Sequence, residues 1–206
     1  MKKPPTVSKV CLLAVAGGLL LLGSACGSSN SSNGNDGGGG AGGGGAGGGV
    51  DTAKYNFEMA MVQGWASGGA TDVLTSVMSS TAQKFAGTSS LAANITAPAA
   101  AVESYSAEIN IAPPVVIAPA TVMTFHVFVP ADAPIDWIQP FIQEDVTYSF
   151  ITGGAYRSAA QIAKGGWTNI ELMVPATVVN PIYKIGVQIH NTAAWTGTVY
   201  IDSVNW

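Results

Sequence analysis

Hydrophobic and polar residues alternate with a period of two through much of the chain after residue 50. In Thr121–Pro130, Met123, Phe125, Val127 and Val129 fall on one face, and Val122, Thr124, His126 and Phe128 on the other. In Trp137–Gln143, Ile138, Pro140 and Ile142 share a face, while Trp137, Gln139, Phe141 and Gln143 take the opposite one. Successive side chains of a strand point to opposite sides, so this period predicts half-buried β-strands. Thr168–Val174, Lys184–His190 and Thr196–Val204 read the same way, rich in β-branched and aromatic residues. Gly, Pro and Asn turns separate the runs. Short strands punctuated in this way predict an all-β, antiparallel sandwich or barrel. The Ala-rich stretch Asp72–Ala86 is ambiguous and is compatible with a helical turn. No long helix is predicted in this part of the chain.

The first fifty residues are composed differently. Lys2, Lys3 and Lys9 precede the apolar run Val10–Leu22, which leads into Gly23-Ser24-Ala25-Cys26. A charged start, a short apolar run and small residues before a cut site describe a secretory signal peptide over residues 1–25. The run is shorter than the roughly 20 apolar residues that span a bilayer. Because the small residues end at a cysteine, the segment resembles a bacterial lipoprotein signal. That resemblance implies that Cys26 is lipidated and becomes the mature N-terminus. It departs from the usual pattern in one place, with Gly23 standing where a leucine is common. An ordinary signal peptide cut after Ala25 is the alternative. Both readings export the protein. With Cys11 removed in the signal, Cys26 is the only cysteine left, so no internal disulfide is available. Lasting anchorage takes more than one acyl chain, and the lipoproteins this N-terminus resembles typically carry three. Gly27, rather than an aspartate, follows Cys26, which is compatible with an outer-membrane or cell-surface location. Residues 26–50 are almost all Gly, Ser, Asn and Ala, a flexible tether reaching on the order of 25 Å.

Charge narrows the partners. The full chain carries a net charge of −4, with only 10% of its residues charged. Removing the signal leaves Lys54, Lys84, Arg157, Lys164 and Lys184 against all 12 acidic residues, or −7. So few basic groups cannot neutralise many phosphates, which argues against nucleic-acid binding. Few charges and many Ser, Thr, Asn and Gln suit an exported protein that handles neutral ligands.

Residues 51–206 form one domain-sized unit of about 155 residues. In order along it come Phe57-Glu58, Gln63-Gly64-Trp65, Thr88-Ser89-Ser90-Leu91, Val127-Phe128-Val129-Pro130 and Gln139–Gln143. Gly166-Trp167-Thr168 running to Val174-Pro175, Ile185–Ile189 and Gly197–Val204 follow. This series resembles the jelly-roll, galactose-binding-like carbohydrate-binding modules appended to bacterial glycoside hydrolases. The resemblance implies an antiparallel β-sandwich and a neutral polysaccharide or glycan as ligand, bound on a concave sheet face. No catalytic domain accompanies the module in this sequence, so on this reading the protein either captures or adheres to glycan by itself or works with a separately encoded glycoside hydrolase as partner. Sugar sites combine aromatic platforms with amides or carboxylates for the hydroxyls. The residues of non-core parity that supply these are Trp137, Phe141, Gln143, Gln188 and His190, with Trp195 as an edge platform in the loop Asn191–Thr196. The bland alternative is that a loop or a second packing layer covers this face. Trp65 and Trp167 are expected in core or edge packing.

Many modules of this kind hold a structural calcium where the first and last strands meet. By that resemblance Glu58 and Asp202 are the candidate ligands, with backbone carbonyls from about Lys84 to Ser90. The alternative makes Asp202 a strand-end residue bonded to nearby backbone. Catalytic motifs are scarce. The domain has no Gly-x-Ser-x-Gly elbow, no His-Glu-x-x-His pair and no phosphate-cradling loop. Glu144 and Asp145 are adjacent on an extended chain and would face opposite sides. Three functions therefore follow, in order: a non-catalytic glycan-binding lipoprotein, a structural or adhesive envelope protein, and a glycan-active enzyme.

Overall fold

The computed structural model describes residues 50–69, 73–101, 107–113, 115–144 and 148–206. The signal peptide, Cys26 and all of the tether but Val50 lie outside these residues.

Among the described residues eleven strands run in chain order: β1 (Ala66–Ser67), β2 (Leu74–Ser80), β3 (Ser90–Ala97), β4 (Ala107–Ile111), β5 (Val122–Val129) and β6 (Ile135–Glu144). They continue with β7 (Phe150–Ile151), β8 (Arg157–Ser158), β9 (Gly166–Met173), β10 (Ile182–Asn191) and β11 (Trp195–Asn205). One sheet has the order β1-β4-β10-β6-β7, with β8 also pairing to β6. The other has the order β2-β3-β11-β5-β9. Every pairing between these strands is antiparallel. The fold is an antiparallel β-sandwich, one of the two architectures the alternation allows and the one the resemblance implies, and the described residues contain no α-helix.

The alternation also locates the core. Met123, Phe125, Val127 and Val129 of β5 are fully buried, as are Val199 and Ile201 of β11. From the other sheet, Ile109 of β4, Ile138 and Ile142 of β6, and Ile185, Val187 and Ile189 of β10 meet them. Trp65 joins this core as expected. Burying one such side chain contributes about 1.5–3 kcal/mol, which fixes strand register because a one-residue slip would turn each of them outward.

Leu74–Ser80 forms a strand, so the helical turn entertained for Asp72–Ala86 is corrected over its described part. Pairing with β3, from Leu74↔Ile95 to Ser80↔Ser90, overrides the weak local preference of this stretch.

Candidate functional site

The outer face of the six-stranded sheet carries the side chains left over once the core is filled. On β6 these are Trp137, Gln139, Phe141 and Gln143; on β10, Lys184, Gly186, Gln188 and His190; on β4, Glu108 and Asn110. Register sets them in rows. Gln188 stands between Glu108 and Gln139, and Gly186 between Asn110 and Phe141. His190 is opposite Trp137, and Lys184 opposite Gln143.

One end of the face is aromatic. The Trp137 and His190 rings stack with centroids 5.1 Å apart and an interplanar angle of 15°. Tyr156, which leads into β8, lies 6.0 Å from Trp137. A register shift opposite His190/Asn191 inserts Asp136 into β6, and this bulge lets its Oδ1 meet His190 Nδ1 at 2.5 Å. The other end is aromatic too. Phe150 on β7 packs 4.9 Å from Phe141, and Tyr148 meets Tyr183 edge-on at 5.5 Å. Gln143 Nε2 donates to the Tyr148 carbonyl at 2.9 Å, which fastens Tyr148 to β6. Among the described residues only four aromatic side chains are exposed, namely Tyr148, Phe150, Tyr156 and Tyr183, and all four border this face.

Between the ends lies a polar floor. The Glu108 side chain is 2% exposed and forms an ion pair with Lys184 at 3.6 Å. Its Oε1 also accepts from Asn110 Nδ2 at 2.7 Å, and its Oε2 from Gln188 Nε2 at 3.1 Å. A buried carboxylate is costly unless paired and hydrogen-bonded, and Glu108 is both. Gly186 leaves room beside it. A Cβ there would come within 2.6 Å of the Phe141 ring and 2.8 Å of Asn110 Cβ.

The expected residues divide. Trp137, Gln188 and His190 are half-buried on this face, and Gln143 is buried beside Tyr148. Phe141 is on the face but fully buried under Phe150 and against Gly186, so it supports a platform rather than forming one. Trp195 is elsewhere. It opens β11 in the other sheet, shares the inward parity of Val199 and packs partly buried against the core, over Gly197. The loop position expected for it is corrected to a strand start. Glu108, Asn110, Tyr148, Phe150, Tyr156 and Tyr183 were missed. The pattern Ala-Glu-Ile-Asn-Ile of β4 carries a signal for the first two; the four aromatics carry none.

Glu58 and Asp202 both fasten the same loop, residues 81–89, onto the second sheet. Asp202 has the outward parity of β11 yet is fully buried. Its Oδ2 accepts the backbone N–H groups of Phe85 (2.8 Å) and Ala86 (3.2 Å), and its Oδ1 that of Ser203 (2.8 Å). Burial pushes its carboxyl up to about 6, and the Asp51 charge adds to this; the three N–H donors oppose the rise. Glu58 accepts from the Thr88 hydroxyl and from the N–H groups of Thr88 (2.8 Å) and Ser89 (3.1 Å). Burial acts to raise its carboxyl, but these donors prevail and hold it below the usual range. A calcium takes six to eight oxygens turned toward one point. Here the carboxylate oxygens face N–H and O–H donors, and among the described residues no three His, Cys, Asp or Glu side chains converge. The backbone strain of the domain concentrates nearby, with Phe57, Met59, Ala60 and Gln63 all left-handed. A recess of about 560 Å³ lined by Met59, Ala60, Ser79, Ser80, Thr81, Thr88 and Ser89 opens beside them, away from the aromatic face.

No family model matches the sequence, and no curated protein matches it either. Solved structures do. A structure from work on carbohydrate-binding modules of the β-sandwich superfamily aligns with a TM-score of 0.63 at 26% identity, covering 76% of this chain and 62% of its own. The chain thus spans less than two thirds of that structure's length. A carbohydrate-binding module specific for non-crystalline cellulose aligns at 0.54 and 14% identity, over 77% of this chain and 95% of its own. A xylan-binding domain aligns at 0.51 and 14% identity, over 75% and 94% respectively. The structural neighbours of this chain are carbohydrate-binding modules with a β-sandwich fold.

Proposed function

We propose that this protein is a surface-tethered, non-catalytic carbohydrate-binding lipoprotein that captures neutral glycan on the outer face of its six-stranded sheet. One observation carries the reading: the four exposed aromatic side chains among the described residues border a single face, whose floor is made of amides around Glu108. Aromatic faces cover the C–H surface of a sugar while amides bond its hydroxyls. The solved neighbours, which bind non-crystalline cellulose or xylan, support the same ligand class. The two described carboxylates on the face are engaged within the protein, Glu108 by Lys184 and two amides and Asp136 by His190. A separately encoded hydrolase would use the captured polymer.

Native affinity electrophoresis in gels containing xylan, mannan or phosphoric-acid-swollen cellulose tests this. Retardation by at least one polymer is expected, and unchanged mobility in all three would overturn the reading. The tether is tested separately, since Cys26→Ser should move the protein from the membrane to the soluble fraction. A second reading, a structural or adhesive envelope lipoprotein, draws on the burial of Phe141 and Trp195. It predicts no retardation in any gel.

A further inference from the structure

The amides of the polar floor are not free to turn. A carboxylate and a backbone carbonyl only accept hydrogen bonds, so an amide facing one must present its NH2 end. Glu108 therefore fixes Asn110 and Gln188, whose nitrogens lie 2.7 and 3.1 Å from its oxygens. The Tyr148 carbonyl fixes Gln143 in the same way. All three carbonyl ends are left pointing away from these acceptors. None of them belongs to the buried polar atoms without a partner, which among the described residues are only Trp65 Nε1, His126 Nδ1 and Asn191 Oδ1. The amide oxygens of Asn110, Gln143 and Gln188 make no hydrogen bond within the described protein and so reach solvent.

We infer that this floor is an acceptor array that reads unsubstituted, uncharged sugar hydroxyls as donors and rejects glycans whose contacted hydroxyls are esterified or replaced by carboxylates. The inference rests on the glycan-binding reading above. Glu108 is the positioning residue: buried beneath the face, it orients two of the three acceptors and holds Lys184 to itself. A free hydroxyl gives its proton to an amide oxygen. An ester or carboxylate offers only acceptors there, and leaves the amide oxygen unpaired in a desolvated contact, the costly case for a hydrogen-bonding group. The net negative charge of the mature chain adds repulsion toward uronates.

The experiment measures affinity for xylan and mannan, each as the de-esterified polymer and as the same polymer partly acetylated. Wild-type protein should bind a de-esterified form about ten- to hundredfold more tightly than its acetylated counterpart. Glu108→Gln gives residue 108 a donor, allows Gln188 to turn, and should bring that ratio towards one. Gln188→Met keeps the length, removes an acceptor at a half-buried position and should also reduce the ratio, so the test survives a poorly folding Glu108 variant. Steric exclusion of acetyl groups would keep the ratio intact in both variants and would overturn the inference. Equal wild-type affinity for the paired polymers would overturn it as well, while leaving the glycan reading standing. If wild type binds none of the polymers, both fall together.

Discussion

Replacing Asp202 by Asn tests how the loop over the second sheet is held. The carboxylate is fully buried and its titration is pushed up to about 6, mainly by burial and further by Asp51. In the unfolded chain the same group titrates near 3.8. An acid that binds its proton more tightly when folded stabilises the native state below the unfolded value. That contribution is lost as pH rises through the folded one. Between pH 4 and pH 7 the wild type should therefore lose stability relative to Asp202→Asn, whose amide does not titrate. A rise from 3.8 to about 6 corresponds to about 3 kcal/mol at most. Asn also turns an NH2 group towards N–H donors, which adds a constant penalty, so the shape of the difference against pH is the readout and not its offset. Urea unfolding of both proteins at half-unit pH steps measures it. A flat difference would refute the reasoning. So would a wild type that gains on the variant as pH rises, since the three N–H donors would then outweigh burial.

The remaining predictions concern the same loop and the aromatic face. Chelation with EDTA should leave the melting temperature unchanged, because N–H donors hold Glu58 and Asp202; a clear fall would show a calcium displacing them. Gly186→Ala should destabilise the domain by about 1–3 kcal/mol in urea unfolding and weaken glycan binding, since the new methyl group meets the Phe141 ring at 2.6 Å. Gln188→Ala should cost about 1–2 kcal/mol of glycan affinity by calorimetry and also lower the melting temperature, because it removes the amide donor to buried Glu108 Oε2. Gln143→Ala should lower both, because the 8% exposed Gln143 also holds the Tyr148 carbonyl.

Strand alternation was legible wherever one face met the core, because burial enforces a period of two. Met123–Val129 and Ile185–Ile189 show it, and the same pattern put Trp137, Gln188 and His190 on a shared face. Pattern could not say how far a residue of outward parity is covered. Phe141 and Asp202 have that parity and are fully buried, one beneath Phe150 and the other beneath the 81–89 loop. Trp195 failed for a related reason: in the sequence it sits in a turn, yet it extends the inward row of β11. Tyr148, Phe150 and Tyr156 follow no period in the sequence, and only pairing of the short strands β7 and β8 with β6 brings them to the site. Of the contacts that orient the amides, Glu108 to Asn110 and Tyr148 to Gln143 are local, two and five residues apart, and the third is tertiary. Glu108 reaches Gln188 from 80 residues away in sequence.

Glycan binding across the aromatic ends of the six-stranded sheet is tested most directly by titration calorimetry with xylo-, manno- and cello-oligosaccharides. Wild type is compared with a Trp137→Ala/Phe150→Ala double variant whose folding is checked by thermal melting. Wild type should bind at least one series, and binding should be lost in a variant that still melts cooperatively. Undiminished affinity in the folded variant, or no binding of any series by wild type, would contradict this placement of the site.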